Sequence, residues 1–262
     1  MYDLPSEDPE EPGLPDEFHD LQPQLLSRTL QLLNHSRNNC FTASDLNLYY
    51  DVSHPFWYKR PDWFLVLRVP RLYEGKDLRR SYVVWQEGQN PYVVVEFLSP
   101  GTEREDLGRF VSETPGVPED VTAEERQQPP GKWEVYEQYL RVPHYIVYSR
   151  YTQQLRYFQL EGGVYQEKPI HAENPRIWLA DLEVGLGIWE GTFEDVPSCW
   201  LRWCDAEGNW LLTDTERERS QKEQLQAQLH QAARNLLATG MEASQVARIL
   251  GLPEERVREI AD

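Results

Sequence analysis

The chain has 262 residues, 40% hydrophobic and 12% aromatic, enough for one sizeable core with appendages. Its formal net charge of −18 argues against a protein that binds nucleic acid over its whole surface. No apolar run approaches the ~20 residues needed to span a bilayer and no basic-then-apolar leader opens the chain, so a cytoplasmic protein is expected.

Residues 1–15 are rich in Pro, Glu and Asp and have little to bury, which predicts an acidic tail, disordered or draped on the surface. Residues 1–20 hold eight acids and no Lys or Arg. From 18 to 33, Phe18, Leu21, Leu25, Leu26, Leu30 and Leu33 recur with a helical period. Ser44 or Asp45 is expected to cap a short helix running to Tyr50. Between Lys59 and Arg80 seven bases face three acids, a local basic stretch that reads as a phosphate-binding face or as a solvated charged one.

Strands are expected over 63–69, 81–86 and 91–98, the last a β-branched run suited to burial on both faces. Glu96 is the anomaly in that run, because a buried carboxylate is costly unless it is paired or holds a metal. Thr102 with Glu105 fits a capping box opening a short helix, and residues 113–131 read as a polar, proline-bearing surface loop. A helix follows over 132–140, its apolar positions Trp133, Val135, Tyr136, Tyr139 and Leu140. Strands come next at 144–149, 154–159 and 164–167, the last two hinged at Gly162-Gly163. Residues 176–189 alternate loosely and close the domain, and the nine tryptophans are expected to pack the core and its edge. Cys40, Cys199 and Cys204 make neither a disulfide set nor a complete zinc site and read as idle or buried thiols.

From residue 214 the pattern changes to one long polar helix with a narrow stripe of Leu225, Leu229, Leu236 and Leu237, then two short helices over 240–260. That pair resembles a helix-turn-helix. Nine acids against seven bases over 214–262 favour instead a packing element, or a homodimer through these helices.

Hydrolysing a phosphodiester near neutral pH takes an ion to polarise the phosphate, an activated water and a charge to steady both. Asp62 opening one strand and Glu96 ending another could hold one or two hard divalent ions, and Lys132, at the start of the next helix with Tyr136 one turn on, could orient water or neutralise charge.

The ordered fragments Lys59-Arg-Pro-Asp-Trp63, Val93-Val-Val-Glu-Phe-Leu-Ser-Pro100, Thr102-Glu-Arg-Glu-Asp106, Lys132-Trp-Glu-Val-Tyr136 and Val142-Pro-His-Tyr-Ile-Val147 resemble the Uma2 family of restriction-endonuclease-like proteins, of the PD-(D/E)xK superfamily. The resemblance spans roughly residues 15–190. It implies Asp62 and Glu96 as metal ligands with the Phe97 carbonyl as a further one, and Mg²⁺ or Mn²⁺ as the ion. The superfamily's lysine two residues after the glutamate is replaced here by Leu98, which implies Lys132 in its place, with Asp106 in a secondary role.

The expectation is therefore an α/β, restriction-endonuclease-like domain over 16–212, with a central mixed β-sheet flanked by helices. An acidic tail (1–15) precedes it and a helical appendage (213–262) follows. The expected activity is metal-dependent endonucleolytic cleavage of DNA by Asp62, Glu96 and Lys132. The alternative is an inactive nuclease fold that binds DNA or protein.

Overall fold

The structure is a computed structural model in which residues 16–99, 101–111 and 128–261 are described. They form two compact units, Met1–Leu211 and Leu212–Asp262. The expected tail at 1–15 and most of the loop at 113–131 lie outside the described residues.

The first unit is built on a six-stranded sheet. Its strands are β1 (Cys40–Ala43), β4 (Trp63–Leu67), β6 (Val93–Phe97), β7 (His144–Ser149), β8 (Gln154–Glu161) and β9 (Val164–Lys168), in that spatial order. Only β6 and β7 pair in parallel, so the sheet is mixed. β4 and β6 are buried along their whole length, which explains their nearly continuous apolar character.

Alternation sends successive side chains to opposite faces. Trp63, Leu65, Val93, Val95, Ile146 and Tyr148 enter one core with Phe18, Leu25 and Leu26 of α1 (Glu17–Thr29). Phe64, Val66, Val94, Tyr145 and Val147 enter the other, under Trp133, Val135, Tyr136 and Leu140. These last belong to α4 (Lys132–Glu134), which runs on as a π-helical segment, Val135–Tyr139, closed by Leu140 N donating to Val135 O at 2.9 Å. Each fully buried large apolar side chain contributes about 1.5–3 kcal/mol, so these two faces dominate the stability of the sheet.

Several local expectations are corrected. No helix runs from 44 to 50: Asp45 takes φ +51° and its amide donates to Pro61 O at 3.0 Å. The chain there is extended, as β2 (Leu48–Tyr49), antiparallel to β3 (Tyr58–Lys59) and parallel to β5 (Tyr82–Val83). The strand expected over 81–86 stops at Val83 and turns into α2 (Val84–Glu87), because Gly88 at φ +73° closes a helical turn. Thr102 precedes α3 (Glu103–Leu107) but makes no capping box; its hydroxyl donates to Ser99 O. α1 ends at Thr29, leaving Leu33 82% exposed, and Tyr139 is turned outward rather than onto the sheet.

Residues 176–189 become β10 (Arg176–Leu179) and the first part of β11 (Val184–Phe193). β12 (Val196–Cys204), not anticipated from the sequence, completes a separate three-stranded sheet. Trp200 and Trp203 of β12 are buried in the α1-side core, as Trp63 is. All three cysteines are free, with Cys40 and Cys204 buried.

The second unit consists of α5 (Asp214–Ala238), α6 (Ala243–Leu250) and α7 (Glu254–Ala261) around Ala233, Val246, Ala247 and Val257. A capping box between Thr213 and Glu216 starts α5, and Gly251 at φ +66° turns the chain from α6 toward α7.

Candidate active site

The register pairing Trp63 with Val95 and Phe64 with Val94 brings Asp62 opposite Glu96 one step beyond the last pair. Even-numbered residues of β4 and β6 share the face covered by α4, so both carboxylates lie under that helix. Each is fixed by the other strand's backbone. The Phe97 amide donates to Asp62 Oδ2 at 2.5 Å and the Asp62 amide to Glu96 Oε2 at 3.3 Å.

Lys132, the first residue of α4, brings its Nζ to 3.0 Å from Glu96 Oε2, and Tyr136, one turn on, donates its hydroxyl to Glu96 Oε1 at 2.7 Å. The same ammonium lies 3.1 Å from Asp106 Oδ1 on α3. That contact is an ion pair rather than a well-aligned hydrogen bond, since the buried oxygen finds no donor in good geometry. Glu96 and Asp106 are almost wholly buried, whereas 19% of the Lys132 side chain stays exposed, so the cluster opens to solvent on the lysine side.

Gly108 lets α3 and α4 meet. It holds φ +50°, and a Cβ there would stand 2.6 Å from Trp133 Cγ, the residue next to Lys132.

Three carboxylates around one ammonium leave two negative charges if all are ionised. Burial raises Asp62 to about 6, against the pull of Lys132 and the Phe97 amide. Burial likewise raises Glu96 to about 8 and Asp106 to about 6, with Lys132 opposing and a neighbouring carboxylate adding to each shift. Burial alone would lower the Lys132 pKa, but Glu96, Asp106 and Asp62 hold it well above its ordinary value. Tyr136 is also pushed well up, by burial and by Glu96.

The sequence of residues 1–192 matches the Uma2 family, described as "Putative restriction endonuclease". The chain belongs to the Uma2 family. Among solved structures, that of a "putative nuclease belonging to DUF820" from Anabaena variabilis ATCC 29413 is similar at 10% identity and a TM-score of 0.41, covering 66% of this chain and 77% of that one. No curated protein matches.

Of the residues picked from the sequence of this Uma2 protein, Asp62, Glu96 and Lys132 come together with Tyr136. The Phe97 carbonyl, the further ligand that the resemblance implied, faces His19 Nε2 of α1 at 3.4 Å. Asp106 is more central than expected, as near to Lys132 as Glu96 is. The sequence signals for it were the family resemblance, which implied a secondary role, and a carboxylate in a short helix between the Glu96 strand and the Lys132 helix.

Three of the seven bases in this stretch are engaged in ion pairs, whereas Arg68, Arg71 and Lys76 are exposed. Arg79 is buried in an ion pair with Glu87 and donates to Arg71 O and Pro70 O. Lys59 pairs with Glu105 at 3.1 Å and Arg60 with Asp45 at 2.8 Å. Arg80 stays exposed.

The donor set suits a hard divalent cation. Asp62 and Glu96 offer oxygen donors in a cluster of surplus negative charge, although among the described residues no group of three or more His, Cys, Asp or Glu side chains is set to hold an ion. Two carboxylates with water and substrate oxygens completing the shell is the usual habit of Mg²⁺.

Proposed function

We propose that this Uma2 protein is a Mg²⁺- or Mn²⁺-dependent endonuclease that hydrolyses DNA phosphodiester bonds at Asp62, Glu96 and Lys132. The observation that carries the reading is the Lys132 ammonium 3.0 Å from Glu96, itself facing Asp62 across the ladder. Asp62, Glu96 and the Phe97 carbonyl would hold the ion. When bound, it supplies Lewis-acid polarisation of the phosphate and activation of water.

The chain's own groups do the rest. Lys132, kept charged by three carboxylates, serves as a fixed positive charge for the anion that develops as the phosphate is attacked, rather than as a base. Tyr136 locks the Glu96 carboxylate in one orientation through its 2.7 Å bond. Asp106 holds the ammonium from its other side.

The test is nicking of a supercoiled plasmid by the full chain with Mn²⁺, Mg²⁺ or chelator. Metal-dependent nicking that disappears in Glu96→Gln supports the reading. Absence of nicking in the wild type, with DNA or protein still bound through residues 213–262, supports an inactive nuclease fold instead.

A further inference from the structure

The segment that leads into Asp62 presents aromatic rings that the carboxylate–lysine cluster does not use. Phe56 is 87% exposed and Tyr58 44%. Beside them the His54 and Trp57 rings lie stacked, their centroids 3.8 Å apart and their planes 7° from parallel.

This is a braced turn. Asp51 accepts from Ser53 N at 2.8 Å and pairs with His54 Nδ1 at 2.7 Å, and Trp57 N donates to His54 O at 2.9 Å. Phe56 is therefore held outward on a fixed scaffold, which lowers the entropy lost when a ligand stacks on it.

The scaffold is tied to both helices of the site. Tyr50 packs edge-on against Tyr139 of the π-helical segment that continues α4, centroids 5.4 Å apart. Lys59 of β3 is ion-paired with Glu105 of α3, the neighbour of Asp106. Arg60 and Pro61 then lead directly to Asp62.

We propose that residues 52–58 form a stacking platform for unpaired bases of the strand whose phosphate reaches Asp62 and Glu96. The substrate class is then single-stranded or locally opened DNA rather than closed duplex. The inference rests on the nuclease reading and names that site's substrate. Aromatic faces stack on any base, whereas a closed duplex keeps its base faces covered. Lys59 and Arg60, which follow the rings in sequence and precede Asp62, are already ion-paired with Glu105 and Asp45, so stacking rather than free charge carries the contact with the strand.

The experiment is fluorescence anisotropy with a labelled oligonucleotide and its blunt duplex, with Ca²⁺ and with chelator, on wild type, Phe56→Ala, Phe56→Leu and Phe56→Trp. Affinity for the single strand is expected to fall on the order of ten-fold in Phe56→Ala and Phe56→Leu and to recover in Phe56→Trp. Duplex binding, Mn²⁺ affinity and thermal stability should stay as in wild type.

Equal affinities in all four proteins overturn the platform, as does a leucine that serves as well as phenylalanine, or duplex binding that weakens as much as single-strand binding. If the variants bind unchanged while the plasmid is still nicked, only the platform falls. A wild type that neither binds nor nicks DNA removes the nuclease reading with it.

Discussion

Asp62 and Glu96 are linked through the backbone of facing strands: the Asp62 amide donates to Glu96 Oε2 at 3.3 Å, and the amide after Glu96 donates to Asp62 Oδ2 at 2.5 Å. Each carboxylate is thus positioned by the strand that carries the other. Asp62→Asn and Glu96→Gln should each abolish Mn²⁺ binding measured by calorimetry. Both should leave the metal-free fold as stable as before or more so, because close like charges repel. Intact Mn²⁺ binding together with a large loss of stability would identify a purely structural pair.

The raised carboxylates set a pH dependence whose sign is fixed. Asp62 and Asp106 at about 6 and Glu96 at about 8 bind protons more tightly folded than unfolded. Their contribution to stability is present below the ordinary carboxylate pKa, near 4, and is lost as pH rises through the folded values. In chelator, the melting temperature should fall between roughly pH 5 and pH 8, and Glu96→Gln should flatten the upper part of that fall. Saturating Mn²⁺ should restore stability most at the alkaline end, since the ion needs deprotonated ligands. A melting temperature that climbs over this range in chelator refutes the assignment.

Lys132→Ala should lower turnover on the order of 10²–10⁴-fold while Mn²⁺ affinity and folding persist. Lys132→Arg should recover little, because a planar guanidinium does not fit the space between Glu96 and Asp106 as a compact ammonium does. Asp106→Asn removes one of the two anchors of that ammonium, so kcat should fall less than in Lys132→Ala, with KM unchanged. Single-turnover cleavage of labelled DNA measures all three.

The two adjacent arginines at the end of the basic stretch should separate cleanly. Arg79 and Glu87 side chains are 2% and 8% exposed. Arg79→Ala should cost about 3–5 kcal/mol, as breaking a buried ion pair does, read as a shift in the urea midpoint. Arg80→Glu should leave that midpoint alone and weaken DNA binding at low salt. DNA binding that is lost in neither variant takes this stretch out of the footprint.

Gly108→Ala tests the meeting of the two site helices. A Cβ at φ +50° and 2.6 Å from Trp133 Cγ forces one helix to move, at a cost of about 1–3 kcal/mol. Turnover should drop through displaced Lys132 and Asp106, while Mn²⁺ binding at Asp62 and Glu96 remains. Wild-type kinetics would mean that the lysine's position does not depend on this contact.

The strands β4 and β6, the helix beginning at Lys132 and the order Asp62, Glu96, Lys132 were legible in the sequence, because continuous β-branched runs and helical periods are local properties that neighbours along the chain impose. A charged residue ending the apolar run of β6 also marked Glu96 without any partner in view. Only the tertiary structure decided that Asp106 shares the Lys132 ammonium, that Arg79 is buried against Glu87, that residues 48–49 pair with two strands instead of forming a helix, and that β12 supplies Trp200 and Trp203 to the core. In each of these the governing contact lies on another element, and its free energy exists only once the sheet has brought the two segments together. Local propensity, worth at most about 1 kcal/mol per residue in either direction, is too weak to oppose it.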